Sequence, residues 1–263
     1  YGTPGAGGSS GAGGIGGTCN YGCNAPGGAG TTPGSGGGGG STNGGVGGNG
    51  AYGIAILSGT VRTGSGSLTI SSGSGKVDLS GSSINLSALE IKSSSTTSTI
   101  SAAIVGSTAL TVTAPITTGV LTLSGNNTYT GPTTLNSGYL YITAASNING
   151  GNGGLTLAGG GLRAGADVTL TRALSLTALK TSILYAEGAA TLTLNGDITG
   201  SGNLIIANGA SGTVILGGNN TYTGTTGVYA KLGVTNSNAL STSALTISGS
   251  GVLDVAGYSI ANA

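Results

Sequence analysis

Short triplets of apolar, polar and apolar residues recur along the chain from about residue 51 to its end. In an extended strand, such a triplet directs its two aliphatic side chains to one face and its central hydroxyl to the other. The triplets are separated by turns rich in Gly, Ser and Asn. The predicted strands are 54–57, 68–70, 77–79, 84–86, 89–91, 110–112, 121–123, 140–142, 155–157, 168–170, 174–176, 192–194, 204–206, 214–216, 232–234, 245–247 and 253–255.

Strands this short favour one all-β architecture. The triplets recur roughly every 7 to 20 residues, whereas the strands of a sandwich are typically about 5 to 6 residues long. In a parallel β-helix each coil contributes two or three short strands, so that aliphatic side chains stack inside and Thr and Ser form ladders outside. We therefore predict a parallel β-helix, with a β-sandwich as the alternative. The polar stretch 92–99 is predicted to project as a loop.

One heptapeptide, Gly-Asn-Asn-Thr-Tyr-Thr-Gly, occurs twice, at residues 125–131 and 218–224. Each copy follows an apolar strand and precedes a Thr-Thr pair. The copies are 93 residues apart, which is too long for one coil, so several unlike coils must lie between them. The chain is therefore a repeat protein, and the motif marks its architecture more than any chemistry.

Residues 1–50 differ from the remainder of the chain. About half of them are Gly, and Pro4, Pro26 and Pro33 interrupt the run. By composition this segment is a flexible linker. Because ordering Gly costs more conformational entropy than ordering any other residue, we expect a glycine-rich extended head that is held by polyglycine-like packing or by contacts between subunits. The β-helix is assigned to residues 51–263.

Charge is scarce along the whole chain. Seven Lys or Arg and six Asp or Glu give a net charge of +1 over 263 residues, against roughly a quarter charged residues in ordinary soluble domains. Little repulsion therefore opposes contacts between copies of the chain. No basic run exists to neutralise phosphates, so nucleic acid is not an expected partner. No apolar run approaches the roughly 18 residues of a membrane-spanning helix, so no membrane-spanning segment is expected.

Two cysteines, Cys19 and Cys23, lie close together in the glycine-rich head. The chain has no His and no further Cys, so these thiols cannot complete a four-ligand zinc site. We predict a local disulfide, which would place the protein in an oxidising compartment. The alternative is a pair of small buried apolar residues. We expect no metal and no cofactor.

Enzymes that cleave polysaccharides also use parallel β-helices, so the carboxylates need consideration. Asp167 and Glu187 are 20 residues apart, close to one coil, with Arg163 and Arg172 nearby in sequence. Glycoside hydrolysis needs two carboxylates at a set separation, calcium needs several oxygen ligands, and no nucleophile lies beside a base. We expect no enzyme, and interpret these residues as isolated turn acids and solvated arginines. Ice binding by Thr rows is not expected either, because most triplets carry a single hydroxyl.

The longer strings around the heptapeptides, residues 119–142 and 212–226, resemble the autotransporter-associated β-strand repeat of bacterial autotransporter passengers and other large surface proteins. The flanking segments 200–204 and 251–260 resemble the same family. We assign repeat units to 119–142 and 212–234; the second departs from the family pattern at 227–231. The resemblance implies a right-handed parallel β-helix (β-solenoid) that is extracellular or on the bacterial cell surface, with an adhesive or structural role.

The candidate site residues are the motif side chains, for which two interpretations are open. A tyrosine beside amides suits a hydroxyl-rich ligand, so the motif is a candidate glycan platform. The favoured interpretation is structural, with Asn bonding the turn backbone and Tyr capping the coil at a corner. The motif corner residues are Asn126, Asn127, Tyr129, Asn219, Asn220 and Tyr222.

These observations predict a secreted bacterial structural protein, a subunit of an extracellular filament, matrix or surface layer that assembles with itself. The open ends of a β-helix present unpaired backbone groups that template further strands, and residues 259–263 contain no charged or proline-rich cap. We therefore expect end-to-end stacking, with lateral contacts through the glycine-rich head. The alternative is an adhesin passenger fragment that binds host or biofilm glycans.

Overall fold

The described part of the chain folds into a β-solenoid. The computed structural model describes residues 4–5, 16–17, 55–58, 66–73, 75–114, 119–148, 153–207, 212–242 and 244–260. Within these ranges the regular structure is β-strand, apart from one turn of 3-10 helix at Ala145–Ile148. The all-β prediction and the parallel β-helix are confirmed. Nowhere in these ranges is there a helix long and apolar enough to cross a membrane.

The glycine-rich head is described at two short segments, Pro4–Gly5 and Gly16–Gly17, which pair antiparallel. Cys19 and Cys23 lie outside the described residues, so the disulfide stays a prediction. The first described strand of the solenoid is Ala55–Ser58.

Three parallel sheets collect strands from successive coils of the solenoid. Since Thr213 pairs with Lys231, and Leu174 with Ile198, one coil takes between 18 and 24 residues. In the described residues, the first sheet consists of Ser67–Gly73, Ala88–Ser93, Ala109–Thr113, Thr133–Ser137, Leu155–Leu157, Leu174–Leu176 and Ile198–Gly200. The second sheet consists of Ala55–Ser58, Val77–Ser80, Ser98–Ile100, Val120–Leu123, Tyr139–Ile142, Gly161–Ala164, Thr181–Ala186, Asn203–Ile206, Thr226–Val228 and Leu245–Ile247. The third sheet consists of Val168–Leu170, Thr191–Leu194, Thr213–Leu216, Lys231–Val234 and Val252–Asp254.

A shorter parallel pair, Ser83–Ile84 and Ala103–Ile104, occupies the position of the third sheet in the earlier coils. Each of its strands follows a strand of the second sheet and precedes a strand of the first. In each of these coils the chain therefore passes from the second sheet to the third position and then to the first sheet.

Aliphatic side chains stacked in register fill the interior. In the second sheet, Leu140 pairs with Leu162 and Leu162 with Leu184, and all three have no exposed surface. The strand Leu155–Leu157 shows the alternation that its triplet predicts, with Leu buried on both sides of a half-buried Thr. Burying each such side chain stabilises the fold by about 1.5–3 kcal/mol.

The central residues of the triplets form ladders on the outside. On the first sheet, the register partners run through Thr111, Thr134, Thr156, Ser175 and Thr199. Because neighbouring strands lie about 4.8 Å apart, this is a regular row with one hydroxyl per coil. It matches the Thr and Ser ladders that the sequence predicts.

The prediction of a projecting loop at 92–99 is wrong at both ends. Ala88–Ser93 and Ser98–Ile100 are strands, so only residues 94–97 turn. Ser93 Oγ is buried and donates to Gly75 O at 2.8 Å, while buried Ser98 Oγ accepts from Val77 N at 3.1 Å. Hydroxyls can enter a core when they satisfy backbone groups there, and a hydrophobicity pattern does not indicate this.

Candidate functional site

The two heptapeptides lie on different faces of the solenoid. The first follows Val120–Leu123 of the second sheet and occupies the position of the third sheet. The second follows Thr213–Leu216 of the third sheet and occupies the position of the first. Asn203–Ile206, which lies in the same coil as Thr213–Leu216, is the fourth strand of the second sheet after Val120–Leu123. The motifs are therefore four coils and one further face apart.

The second Asn of the first motif lies inside the solenoid and joins three consecutive coils. Asn127 Oδ1 accepts from Ile104 N at 2.7 Å in the preceding coil, and Asn127 Nδ2 donates to Asn147 O in the following coil. The side-chain amide thereby takes the place of a peptide group in the β-ladder. Asn126, one residue earlier, is exposed.

The second motif repeats these contacts on its own face. Asn220 Oδ1 accepts from Ile198 N at 2.7 Å, and Asn220 Nδ2 donates to Ala239 O. Asn219 is exposed, and its Oδ1 accepts from Asn238 Nδ2 at 2.7 Å. In both copies, then, the first Asn faces solvent and the second faces the core.

The motif tyrosines lie entirely inside the solenoid. Tyr129 and Tyr222 both have 0% exposed surface. The Tyr129 hydroxyl shares a 2.7 Å hydrogen bond with Thr133 Oγ1, and Tyr222 shares one of the same length with Thr226 Oγ1. A ring without exposed surface cannot stack on a sugar, so these two tyrosines do not form a glycan platform in this structure.

Arg172 is buried, so its interpretation as a solvated residue is wrong. Its side chain is 7% exposed, and its Nη atoms donate to Ile148 O and Gly153 O. Burial lowers the pKa of Arg172 and raises the pKa of Tyr129, and the charge and hydrogen bonding between the two groups partly offset both shifts. None of the ion pairs in the described residues involves Arg172.

The acids serve separate local partners. Asp167 Oδ1 accepts from Thr191 N at 2.8 Å, whereas Glu187 pairs with Arg163. The other described acids have similar partners: Asp78 pairs with Lys76, Glu90 with Lys92, Asp197 with Asn219 N and Asp254 with Ala256 N. In the part of the chain that the structure describes, no three His, Cys, Asp or Glu lie close enough to hold a metal ion.

Aromatic and charged side chains gather on the outer face of the second sheet. Thr122, Tyr141, Arg163 and Tyr185 are successive register partners there. The Arg163 guanidinium lies 4.8 Å from the centroid of the Tyr185 ring, and the same guanidinium pairs with Glu187. All five side chains are half-buried. Sequence reasoning missed this cluster, because its members are about one coil apart and only the strand register brings them together.

The surface beside this cluster forms an open depression of about 380 Å³. Its size is within the range of about 300–1,000 Å³ that is usual for small-ligand sites. We call it the Tyr141 depression. Its lining residues are Thr96, Val120, Thr122, Tyr141, Arg163 and Glu187.

Comparisons with known proteins find similarity to bacterial surface proteins. The passenger-associated transport repeat family matches residues 118–142 and 211–230. The chain is also similar to the adhesin BmaC autotransporter of Brucella suis biovar 1 (strain 1330), at 34% identity over 106 residues. That alignment spans 40% of this chain and 3% of the adhesin. No solved structure matches the chain significantly.

The resemblance to autotransporter passenger repeats is confirmed by both matches. The same matches confirm the expected location, which is the bacterial cell surface or the extracellular space. Repeat family and solenoid fold together favour a role without catalysis.

Proposed function

We propose that this chain is a non-catalytic, surface-exposed segment of an autotransporter-type adhesin. The observation that carries the proposal is that both passenger-associated repeats are built into one continuous solenoid core, through Asn127 and Asn220. Similarity to a protein named as an adhesin supports the adhesive role. In this role the solenoid is a rigid rod whose outer faces make the contacts.

The local environment of the acids supports a role without catalysis. Asp167 is bonded to a backbone N–H and Glu187 to a guanidinium. Each carboxylate is thus held by its own local partner, whereas glycoside hydrolysis requires two carboxylates that flank one glycosidic bond. The charges of this solenoid therefore stabilise turns and surface ladders.

Surface display tests the adhesive role. The 263-residue chain is fused to an outer-membrane anchor in a non-adherent laboratory bacterium, and bacteria bound to epithelial monolayers and to preformed biofilm are counted. We expect several-fold more bound bacteria than with the anchor alone at matched surface expression. Equal counts on both surfaces would contradict the proposal.

Self-assembly into a filament is the second candidate function. The last described coil leaves Ile247, Val252 and Tyr258 exposed, and Leu245–Ile247 and Val252–Asp254 are edge strands in the described residues. Edge strands accept a further coil, either from a longer chain or from another copy. Sedimentation velocity over a hundredfold concentration range, with electron microscopy of the same samples, tests whether copies of the chain assemble. Fibres that lengthen with concentration support a filament, and a monomer at every concentration contradicts it.

A further inference from the structure

We propose that the Tyr141 depression binds a neutral oligosaccharide, with Tyr141 stacking on a sugar ring while Arg163, Glu187 and Thr122 bond to the sugar hydroxyls. The inference rests on the proposed adhesin function and adds to it a ligand class and the residues that recognise the ligand. The proposed sugar site lies on the outer face of the second sheet and not at the motif tyrosines, which are buried.

Glycine backbone supports the tyrosine rings of this face. A Cβ added at Gly161 would fall 2.8 Å from Cδ1 and Cε1 of Tyr139, and one added at Gly165 would overlap the Tyr141 ring. Each ring therefore lies against a glycine of the neighbouring strand, and both tyrosines keep part of their surface exposed. An aromatic face that is already held in place binds the C–H face of a sugar with little loss of side-chain entropy.

The ion pair supplies both kinds of hydrogen-bonding group to a hydroxyl-rich ligand. Arg163 donates and Glu187 accepts, and their side chains keep 31% and 29% of their surface exposed. The Tyr185 ring lies under the Arg163 guanidinium and holds it in place. Thr122 and Thr96 add hydroxyls on the other side of the depression.

The charge of the depression favours a neutral ligand. Among the residues that line it, the one cation, Arg163, is paired with the one acid, Glu187. An acidic polysaccharide would require unpaired cations. A protein partner would require a broader apolar patch than Val120 and Tyr141 offer.

The register of the sheet also gives the ligand a direction. Tyr141 and Tyr185 are two strands apart in the same column, which corresponds to about 9–10 Å along the solenoid axis. This is close to the length of a disaccharide unit. An oligosaccharide that lies parallel to the axis therefore contacts Tyr141, Arg163 and the edge of Tyr185 in turn.

Calorimetric titration of the full chain with cellohexaose and with maltohexaose tests the site. We expect Tyr141→Ala to weaken binding at least tenfold and Tyr141→Phe to change it less than threefold, because Phe keeps the ring. Tyr229→Ala is the matched control: Tyr229 is 43% exposed and rests over Gly227, but does not line the depression. We expect Tyr229→Ala to leave binding unchanged, and thermal unfolding of each variant verifies that it is folded.

Several results would overturn the site. These are no binding of either hexasaccharide, equal binding by all variants, a loss with Tyr229→Ala but not with Tyr141→Ala, or binding only of a heparin oligosaccharide added as the acidic probe. Self-association that Tyr141→Ala abolishes, without sugar binding, would make this face a contact between copies. If bacteria that display the unaltered chain and bacteria that display Tyr141→Ala adhere equally, the sugar site is overturned but the adhesive role stands. If bacteria that display the unaltered chain adhere no better than those with the anchor alone, the adhesive role itself is overturned.

Discussion

At the scale of single residues, the paired asparagines show how a chain can leave a β-ladder without leaving buried backbone groups unpaired. Asn127 and Asn220 satisfy an N–H below and a C=O above, while Asn126 and Asn219 face solvent. An unsatisfied buried backbone group costs about 1–3 kcal/mol. Removing the inner amide from a corner would therefore cost about as much free energy of unfolding as the burial of one or two leucines provides.

Replacing the inner and the outer Asn separately tests this division. We expect Asn220→Ala to lower the free energy of unfolding by about 2–4 kcal/mol, because Ile198 N–H and Ala239 C=O lose their partner. Asn219→Ala is the matched control, with an expected loss below about 1 kcal/mol at an exposed site. Urea unfolding followed by circular dichroism gives both values, and equal losses would contradict the assignment.

Tyr129 makes the stability of the solenoid sensitive to alkaline pH. Burial raises its pKa in the folded state, so the unfolded chain ionises first, near the ordinary tyrosine value of about 10. The stabilisation that arises from this difference between the folded and unfolded pKa is fully present below that pH and is lost as pH rises through the folded pKa. We expect unaltered protein to lose more stability than Tyr129→Phe between about pH 8 and pH 10.5 in urea titrations; parallel pH profiles would contradict this.

At the scale of elements, each heptapeptide lies where a column of strands gives way to turns. The first motif stacks on Ala103–Ile104 and is followed, one coil later, by the 3-10 turn Ala145–Ile148. The second stacks on Ile198–Gly200, the last described strand of the first sheet, and is followed by turns at 236–240. The motif is thus a device that ends a sheet while the core continues.

The closing glycine of the motif permits this stacking, and a Gly→Ala substitution, which adds one methyl group, tests this. A Cβ at Gly224 would collide with the carbonyl of Gly202, whereas one at Gly154 would meet open space. We expect Gly224→Ala to destabilise the protein by about 2–3 kcal/mol through overpacking. Gly154→Ala, the control, should change stability by less than about 1 kcal/mol. Thermal unfolding of the two variants measures the difference, and similar midpoints would refute the packing argument.

Apolar triplets located most strands because alternation is a local signal. Leu155–Leu157 and Val168–Leu170 are strands with the bounds that their triplets predict. Thr226–Val228 was missed because it has one aliphatic residue, and Thr181–Ala186 because Ser182 occupies a buried position in it. In these segments the neighbouring coils, not the local pattern, fix the extended backbone.

Less of the candidate site than of the strands could be predicted from the sequence. The heptapeptide is contiguous, so its structural role at a corner could be inferred from its repetition. The Tyr141 depression joins residues of several coils, and coil length varies between 18 and 24 residues. A variable period hides which residues become neighbours, so Tyr141, Arg163 and Tyr185 could be aligned only through the register of the folded sheet.

At the scale of the whole molecule, each coil contacts mainly its two neighbours, so stability is close to a sum of local terms. A lesion in one coil should then act locally. We expect Asn220→Ala to accelerate hydrogen exchange in residues 198–240 while leaving 77–112 unchanged, and Asn127→Ala to accelerate it in 104–148. Mass-resolved exchange measures both, and uniform acceleration along the chain would show a single cooperative unit instead.

The offset of the two motifs has a consequence for how such a rod can lengthen. Duplicating the 93-residue block would add four coils and one face, extending the rod by roughly 20 Å. Each new motif would also appear one face further around the axis, so three blocks would return to the starting orientation. Growth by duplication would therefore trace a screw, and a long rod would present the same motif on each of its three faces in turn.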